Sequence, residues 1–250
     1  MEHSDRQIDI VVPESVPRFC QWLRSPVVQG PEGLWINDYP VIEVWEKPLM
    51  ERLGMIVAGS GDRTVLEIGF GLGWSADAIA RRGCRHHVII EAHPIIAFQA
   101  REWAGRQKHP TTILEGFWQE IVPTLSGRFD GILFDTCPLD ESERDRWHYP
   151  FLPLAWDLLE SGGIFTYYSN ESDAFRAEHC DLLNRYFPAI DLLRVDGLHP
   201  SHGCCYWRED HMVVPVIRKP DWWWRDMRIG YGDSMGCATW IARSRSKRPG

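Results

Sequence analysis

The chain has 250 residues, 44% of them hydrophobic, and a formal charge of −8. That is the length of one large domain with ample apolar material for a core. The acidic balance excludes a protein that tracks nucleic-acid phosphates, which needs a basic field, and no run approaches the eighteen apolar residues of a membrane span. Met1 to Asp9 are polar and charged, so no secretory signal is expected. Seven cysteines include no C-x-x-C pair and no His/Cys set at zinc spacing. Reduced structural thiols, a cytoplasmic location and no resident metal are the expectation.

In chain order, residues 1–55 carry Pro-marked breaks and a helix-like piece around Ile42 to Leu53, and are expected to fold over a cleft as a lid. A core at 56–219 begins with the most informative stretch. Val65, Leu66 and Ile68 read as a buried strand, and Gly69, Gly71 and Gly73 let the backbone turn and approach a ligand. Ser75 to Arg82 reads as a helix and His87 to Ile90 as a strand. That strand ends on Glu91, about twenty residues past the glycines, where doubly wound folds bind ribose hydroxyls. The spacing is G-x-G-x-G, not the G-x-G-x-x-G that sets a helix N-terminus against a pyrophosphate. A cofactor with a ribose and no phosphate fits, and S-adenosyl-L-methionine is such a cofactor.

The alternation continues with a helix at Pro94–Gln107, a strand at Thr111–Leu114, a short helix at Gln119–Leu125 and a strand at Phe129–Phe134. A helix over 151–160 is expected to stop at Ser161-Gly162-Gly163. A strand at Ile164–Tyr168, a helix at Asp173–Tyr186 and strands at Ile190–Val195 and Met212–Ile217 complete the core, the last pair antiparallel. The pattern predicts an α/β class I S-adenosylmethionine-dependent methyltransferase fold: seven mostly parallel strands with helices on both faces and an N-terminal lid. Residues 220–250 add a Trp-rich extension and a basic tail.

Chemistry belongs beyond the carboxyl ends of the strands. Glu91 and Asp135 fall there, and Glu67, just before the glycines, suits orienting the loop or the cofactor's amino group. Asp135 can be a base, a cation holder or a cap on the following turn. Glu46 would by default be a solvated charge. Phe117 and Trp118 are by default packing, or else a flat partner for an adenine.

Together these segments resemble the guanidinoacetate N-methyltransferases and their arginine-methylating relatives. The likeness runs from Val41 to Lys219, roughly seven tenths of the chain. It rests on Val44-Trp45-Glu46-x-Pro48-x-Met50, Val65-Leu66-Glu67-x-Gly69-Phe70-Gly71 and Ile89-Ile90-Glu91. It continues through Gly116-x-Trp118, Asp135-Thr136-x-Pro138-Leu139, Gly162-Gly163-x-x-Thr166-Tyr167 and Cys204-x-Tyr206. The glycine loop alone marks only a class I methyltransferase; the Trp-Glu-x-Pro and Asp-Thr-x-Pro-Leu blocks are far more specific.

The resemblance implies that S-adenosylmethionine is converted to S-adenosyl-L-homocysteine on a defined set of residues. Phe70, Gly71, Leu72, Gly73, Trp74 and Ser75 would hold the methionine moiety, and Glu91, with Ala92 and His93 beside it, the ribose. Phe117 and Trp118 would meet the adenine, next to Asp135. Glu43 and Met50 would line the cofactor from the lid side, with Trp22 closing over it. Glu46 and Asp135 would grip the acceptor's guanidinium, with Asp135 as base.

The chain departs from the family after the fifth core strand, where Glu171-Ser172 replaces a Thr-Ser pair that holds a short carboxylate. A glutamate there would welcome an α-ammonium, so the expected acceptor is free L-arginine or a close guanidino amino acid, with guanidinoacetate the alternative. The partner is then a small molecule and not nucleic acid or membrane; a homodimer stays open. Rival readings are a protein-arginine methyltransferase (no paired-glutamate loop or added β-barrel is evident), a nicotinamide dehydrogenase, and a non-catalytic binder with a relict site.

Overall fold

A computed structural model describes residues 21–138 and 143–220. The Trp222–Trp224 run, the basic tail, and Leu139 of the Asp-Thr-x-Pro-Leu block lie outside them. The described chain opens with an antiparallel meander of β1 (Val27–Gly30), β2 (Gly33–Ile36) and β3 (Tyr39–Glu43). Asn37 and Asp38 turn the chain between β2 and β3, at φ of 52° and 62°. Two successive left-handed residues give the hairpin turn whose twist matches its strands, and Asn and Asp tolerate it best. The sequence reading expected a helix from Ile42. Instead a 3-10 turn at Val44–Glu46 leads into α1 (Lys47–Ala58), because β3 pairing holds the chain extended to Glu43. Pro48 sits in the first turn, where its missing N–H costs nothing. Leu49, Met50, Leu53 and Val57 bury the inner face of α1, which runs unbroken through residue 55.

The main sheet holds β4 (Thr64–Ile68), β5 (His86–Glu91), β6 (Thr111–Glu115), β7 (Phe129–Phe134), β8 (Leu159–Tyr167), β9 (Ile190–Asp196) and β10 (His211–Arg218). Their order is β6-β5-β4-β7-β8-β10-β9, parallel except that β10 runs antiparallel to both neighbours. The connecting helices are α2 (Trp74–Arg82), α3 (Pro94–Ala104), α4 (Trp118–Ile121), α5 (Leu152–Leu158) and α6 (Ala177–Tyr186). Side chains alternate across the sheet. Val65, Ile89 and Leu133 enter one apolar cluster with α1, while Leu66, Ile90, Ile132 and Phe134 enter another with α5 and α6. Among the described residues no helix is long and apolar enough to cross a membrane.

Two expected boundaries move. Ser161-Gly162-Gly163 does not end a helix; it lies inside β8, which starts directly after α5 at Leu159. The glycines are held in the strand because Gly162 N–H donates to Lys219 O at 2.8 Å and Lys219 N–H to Gly163 O at 3.0 Å, with Gly162 itself left-handed at φ 76°. The helix expected from Asp173 begins at Ala177, since Glu171 Oε1 accepts from Arg176 N and Nε and holds that stretch as a turn. Among the cysteines, Cys84, Cys137, Cys204 and Cys205 are free.

The chain winds outward through β4, β5 and β6, then crosses back to place β7 on the other side of β4. A crevice opens where such a reversal occurs, beyond the carboxyl ends of β4 and β7. Gly69 is essential to its closeness: φ is +92°, and a Cβ there would stand 1.8 Å from the carbonyl oxygen of Asp135. Gly69→Ala is expected to cost about 3 kcal/mol or more through backbone displacement and left-handed strain. A urea-midpoint shift measures it; an unchanged midpoint would show that the two strand ends are free to part.

Candidate active site

The crevice holds two adjoining chambers. The first encloses about 730 Å³ including its mouth and is walled by Ile68, Ile90, Ile96, Phe117 and Trp118, with Gly69 and Gly71 on its floor and Trp22 at the rim. Glu91 supplies its carboxylate. Phe70 N–H donates to Glu91 Oε2 at 2.9 Å and His93 N–H to Oε1 at 2.8 Å. Burial raises the Glu91 pKa, and those backbone bonds pull it back. The carboxylate is thus fixed in orientation with lone pairs left for a diol. His93 also caps α3 through Nδ1 and sets its ring edge-on to Trp22, 6.3 Å between centroids. Apolar walls and one oriented carboxylate suit an adenosine, and no cation to pair a phosphate is among the lining residues.

The second chamber, about 570 Å³ with its mouth, is lined by Glu46, Asp135, Tyr168, Tyr206, Arg144 and Trp147 among others. Asp135, Thr136, Cys137, Val41 and Trp147 line both chambers. Asp135 follows β7 directly and is fixed by its own N–H, which donates to Ile68 O at 2.9 Å. Its carboxyl keeps some open surface but lies deep in the crevice. Burial, then the charges of Glu67 and Glu91, push its pKa from 3.8 to about 7.

Glu46 reaches the chamber from the turn before α1 and is 4% exposed. Its Oε1 accepts from Glu43 N–H at 2.8 Å and from the Tyr206 hydroxyl at 2.5 Å. Burial pushes its pKa from 4.5 to about 8, against those two bonds and helped by the charges of Asp135 and Glu43. One buried and one half-buried carboxyl therefore face one small space.

The structure does not bring every expected residue to the crevice. Met50 is 1% exposed inside the core, and Glu43 spends Oε2 on Trp45 Nε1 at 2.8 Å. The Ser75 hydroxyl donates to Glu67 Oε1, whose other oxygen lies 2.8 Å from His87 Nε2. Glu67 thus braces the loop from beneath. Phe70 packs its ring on Trp103, at 5.7 Å, and Leu72 and Trp74 pack against the core. Gly73 and these two serve as loop geometry and support. Ala92, Phe117 and Trp118 do line the first chamber.

Glu171 is the main correction. It lies in a neighbouring groove with Ser172, and its Oε1 is committed to Arg176 Nε at 2.9 Å and His179 Nδ1 at 3.0 Å. Although burial opposes ionisation, those partners hold its pKa below the ordinary carboxylate value. An already neutralised carboxylate cannot select an α-ammonium.

Sequence reading missed Tyr39, Trp147, Tyr168, Asn170 and Arg144. Tyr206 was quoted in a motif without a role, so a signal for it existed. At the amino end of β5, away from the chambers, Cys84, His87 and His109 also offer donor atoms within 4.8 Å of one another; their sequence spacing did not disclose this grouping.

Comparison with known proteins agrees with this geometry. The fold is shared with an N-methyltransferase, NodS from Bradyrhizobium japonicum, solved with S-adenosyl-L-homocysteine: TM-score 0.52 at 16% identity, over 71% of this chain and 89% of that one. Spermidine synthase from Thermotoga maritima gives 0.55 at 12% identity, over 89% and 80%. The chain therefore shares the class I methyltransferase fold; S-adenosylmethionine as its cofactor rests on that fold together with the family match over residues 29–191.

The model of the guanidinoacetate N-methyltransferase family matches residues 29–191, and the chain belongs to that family. Protein arginine N-methyltransferase 2 of Aspergillus oryzae is 31% identical over 196 residues, 72% of this chain and 47% of its own length. The Saccharomyces cerevisiae protein of the same name is 29% identical over 141 residues, 53% and 33%. The chain spans about half the length, or less, of these curated relatives.

The raised carboxyls have a thermodynamic consequence. A carboxyl that holds its proton more tightly folded than unfolded favours folding at low pH, and that contribution fades as pH rises. For Asp135 and Glu46 the fade runs from about pH 4 to about 7 and 8 respectively. Glu46→Gln keeps an oxygen to accept both bonds and removes the charge. It is expected to raise the thermal midpoint of the ligand-free protein at pH 9 by roughly 2–4 °C and to leave it nearly unchanged at pH 4. Calorimetry at the two pH values checks this, and an equal shift at both would contradict it.

Proposed function

We propose that the chain transfers a methyl group from S-adenosylmethionine to a guanidino nitrogen held between Glu46 and Asp135. One observation carries this: Asp135 lines the chamber that fits an adenosine and also the chamber that faces Glu46. When bound, S-adenosylmethionine supplies an electrophilic methyl group. Glu91 would hold its ribose, Phe117 and Trp118 its base, and the Gly69–Gly73 loop its amino-acid end. The meander and the segment at Trp22 would serve as a lid over it.

A guanidinium is planar and presents N–H donors in a fixed fork, which two carboxylates can grip and orient. With a pKa above about 12 it is a poor nucleophile while protonated. As the new N–C bond forms, the nitrogen's proton becomes acidic and passes to Asp135. A carboxyl pushed to about 7 is a better proton acceptor than an ordinary one. Glu46, braced by Tyr206 and the Glu43 N–H, stays anionic beside the bound cation and balances its charge.

The acceptor is proposed to be a small guanidino compound, free L-arginine or a close guanidino amino acid, with guanidinoacetate the shorter alternative. The name of the curated relatives favours a second reading, an arginine within a protein. Mass-shift assays on free guanidines and on an arginine peptide separate the two.

Asp135→Asn should leave S-adenosylmethionine affinity within about threefold by titration calorimetry. It should cut turnover by roughly 100-fold or more, the scale of a lost general base. A variant that keeps more than about a tenth of the wild-type rate would remove Asp135 from the role of base.

A further inference from the structure

At the amino end of β5, a second group of side chains has no part in the proposed reaction, and none of its members lines either chamber. Cys84 follows α2 by two residues, His87 is the second residue of β5, and His109 stands two residues before β6. Each offers one donor atom, and the three atoms lie within 4.8 Å of one another. A backbone bond brings the third residue to the other two. His87 N–H donates to Pro110 O at 3.0 Å, which sets His109 beside β5. The Cys84 thiol is free and buried.

The ring nitrogens of this group lack partners. His87 is 0% exposed, and its Nδ1 makes no hydrogen bond. Its Nε2 lies 2.8 Å from Glu67 Oε2, in a geometry that does not form a regular hydrogen bond. His109 Nε2 is likewise buried and unpartnered, although the residue as a whole is half-buried. A buried imidazole nitrogen that bonds to nothing is costly, and such groups point to a ligand that completes them. The Trp103 ring flanks both imidazoles, with centroids 6.0 Å from His87 and 6.4 Å from His109. Its Nε1 donates to Asp77 Oδ1 at 2.7 Å, so the indole gives the cluster an apolar wall and no hydrogen bond.

We propose that Cys84, His87 and His109 form a binding site for one zinc-class divalent cation, with water in the fourth position. A thiolate and two imidazoles are the donors that select zinc over magnesium or calcium. In a zinc tetrahedron such donors stand about 3.3–3.6 Å apart, from Zn–N of about 2.0–2.1 Å and Zn–S of about 2.3 Å. Closing the cluster takes about an ångström of movement, which rotation of the half-buried His109 ring supplies. That side is also the way in for the ion. As the Zn–S bond forms, the Cys84 thiol releases its proton to solvent, and both imidazoles bind through neutral lone pairs.

With Nδ1 on the metal, His87 turns its Nε2–H toward Glu67 Oε2, the carboxylate–histidine–metal arrangement that orients such ligands. Glu67 Oε1 accepts from the Ser75 hydroxyl in the first turn of α2. The ion thus ties the α2–β5 link, the start of β6 and the base of the glycine loop into one brace. Spacing along the chain argues against a resident metal; the fold supplies the proximity.

The test strips the full chain of metal with a chelator and titrates it with Co2+ and Zn2+ alone. One equivalent of Co2+ should give the visible bands of a tetrahedral ion and the near-ultraviolet charge transfer of a cobalt–thiolate bond. Zinc should bleach both. It should bind with a Kd of about 1 µM or tighter and, at about a hundredfold excess over Kd, raise the thermal midpoint by roughly 5–10 °C. Cys84→Ser should abolish the charge transfer and weaken zinc by about 100-fold or more, and His109→Gln should weaken it by about tenfold or more. Cys205→Ser, at an exposed thiol outside the cluster, should change neither.

Circular dichroism of the metal-free variants reports that each is folded. Should Cys84→Ser not fold, His109→Gln and the wild-type cobalt spectrum carry the comparison. Failure of the wild type to bind one equivalent of cobalt or zinc overturns the site. So does binding that survives Cys84→Ser and His109→Gln unchanged, or a charge-transfer band that Cys205→Ser removes.

Discussion

Everything in the crevice depends on one close backbone approach, that of Gly69 to Asp135. Gly69 N–H donates to Ile90 O at 2.8 Å, and Asp135 N–H donates to Ile68 O at 2.9 Å. These bonds tie the ends of β4, β5 and β7 at the point where the chain reverses its winding. A Cβ on residue 69 would overlap the Asp135 carbonyl, so only glycine lets the ends come this near. From that tie the turn after β4 presents Phe70 N–H to Glu91. The same tie sets Asp135 at the wall shared by both chambers. In the proposed reaction, cofactor and acceptor would be registered to each other by three strands, which is what a transfer over a short distance requires.

The site holds unfavourable electrostatics in reserve. Glu46 is buried and Asp135 half-buried deep in the crevice, with pKa values pushed to about 8 and about 7. A cation entering between them relieves that burden, so part of its binding free energy is stored in the empty protein. Surrounding groups are committed elsewhere. Glu67 is spent on Ser75 and lies against His87, and Glu171 is spent on Arg176 and His179. Of the described carboxylates near the strand ends, those left facing the chambers are Glu91, Asp135 and Glu46, and each would meet a different part of the proposed reactants.

Much of the core was legible because parallel strands must be apolar on both faces. Thr64–Ile68, His86–Glu91 and Phe129–Phe134 announce themselves as short apolar runs, and the carboxylates at their ends follow by position. What failed did so where a distant partner decides the local conformation. Ser161-Gly162-Gly163 has helix-ending chemistry, but hydrogen bonds with Lys219 draw it into β8. The Asn37-Asp38 hairpin carried a readable turn signal, but the strands around it are only four and five residues long, too short to announce themselves by alternation. Met50 and Glu43 sit in matching motifs, yet one packs inward and the other bonds to Trp45.

By itself, the sequence determined the strand–loop–helix that makes a cofactor cradle, the carboxylate that follows it, and the pair Glu46 and Asp135 as groups of the right chemistry. Those are local matters: apolar runs, glycine where backbone must approach, an acid at a strand end. Only the tertiary structure decided which charges remain available. Glu171 looked like a selector until Arg176 and His179 were seen to consume it, while Tyr206, quoted only within a motif, turned out to brace Glu46. Availability of a charge depends on its partners, and partners separated by tens of residues are chosen by the fold.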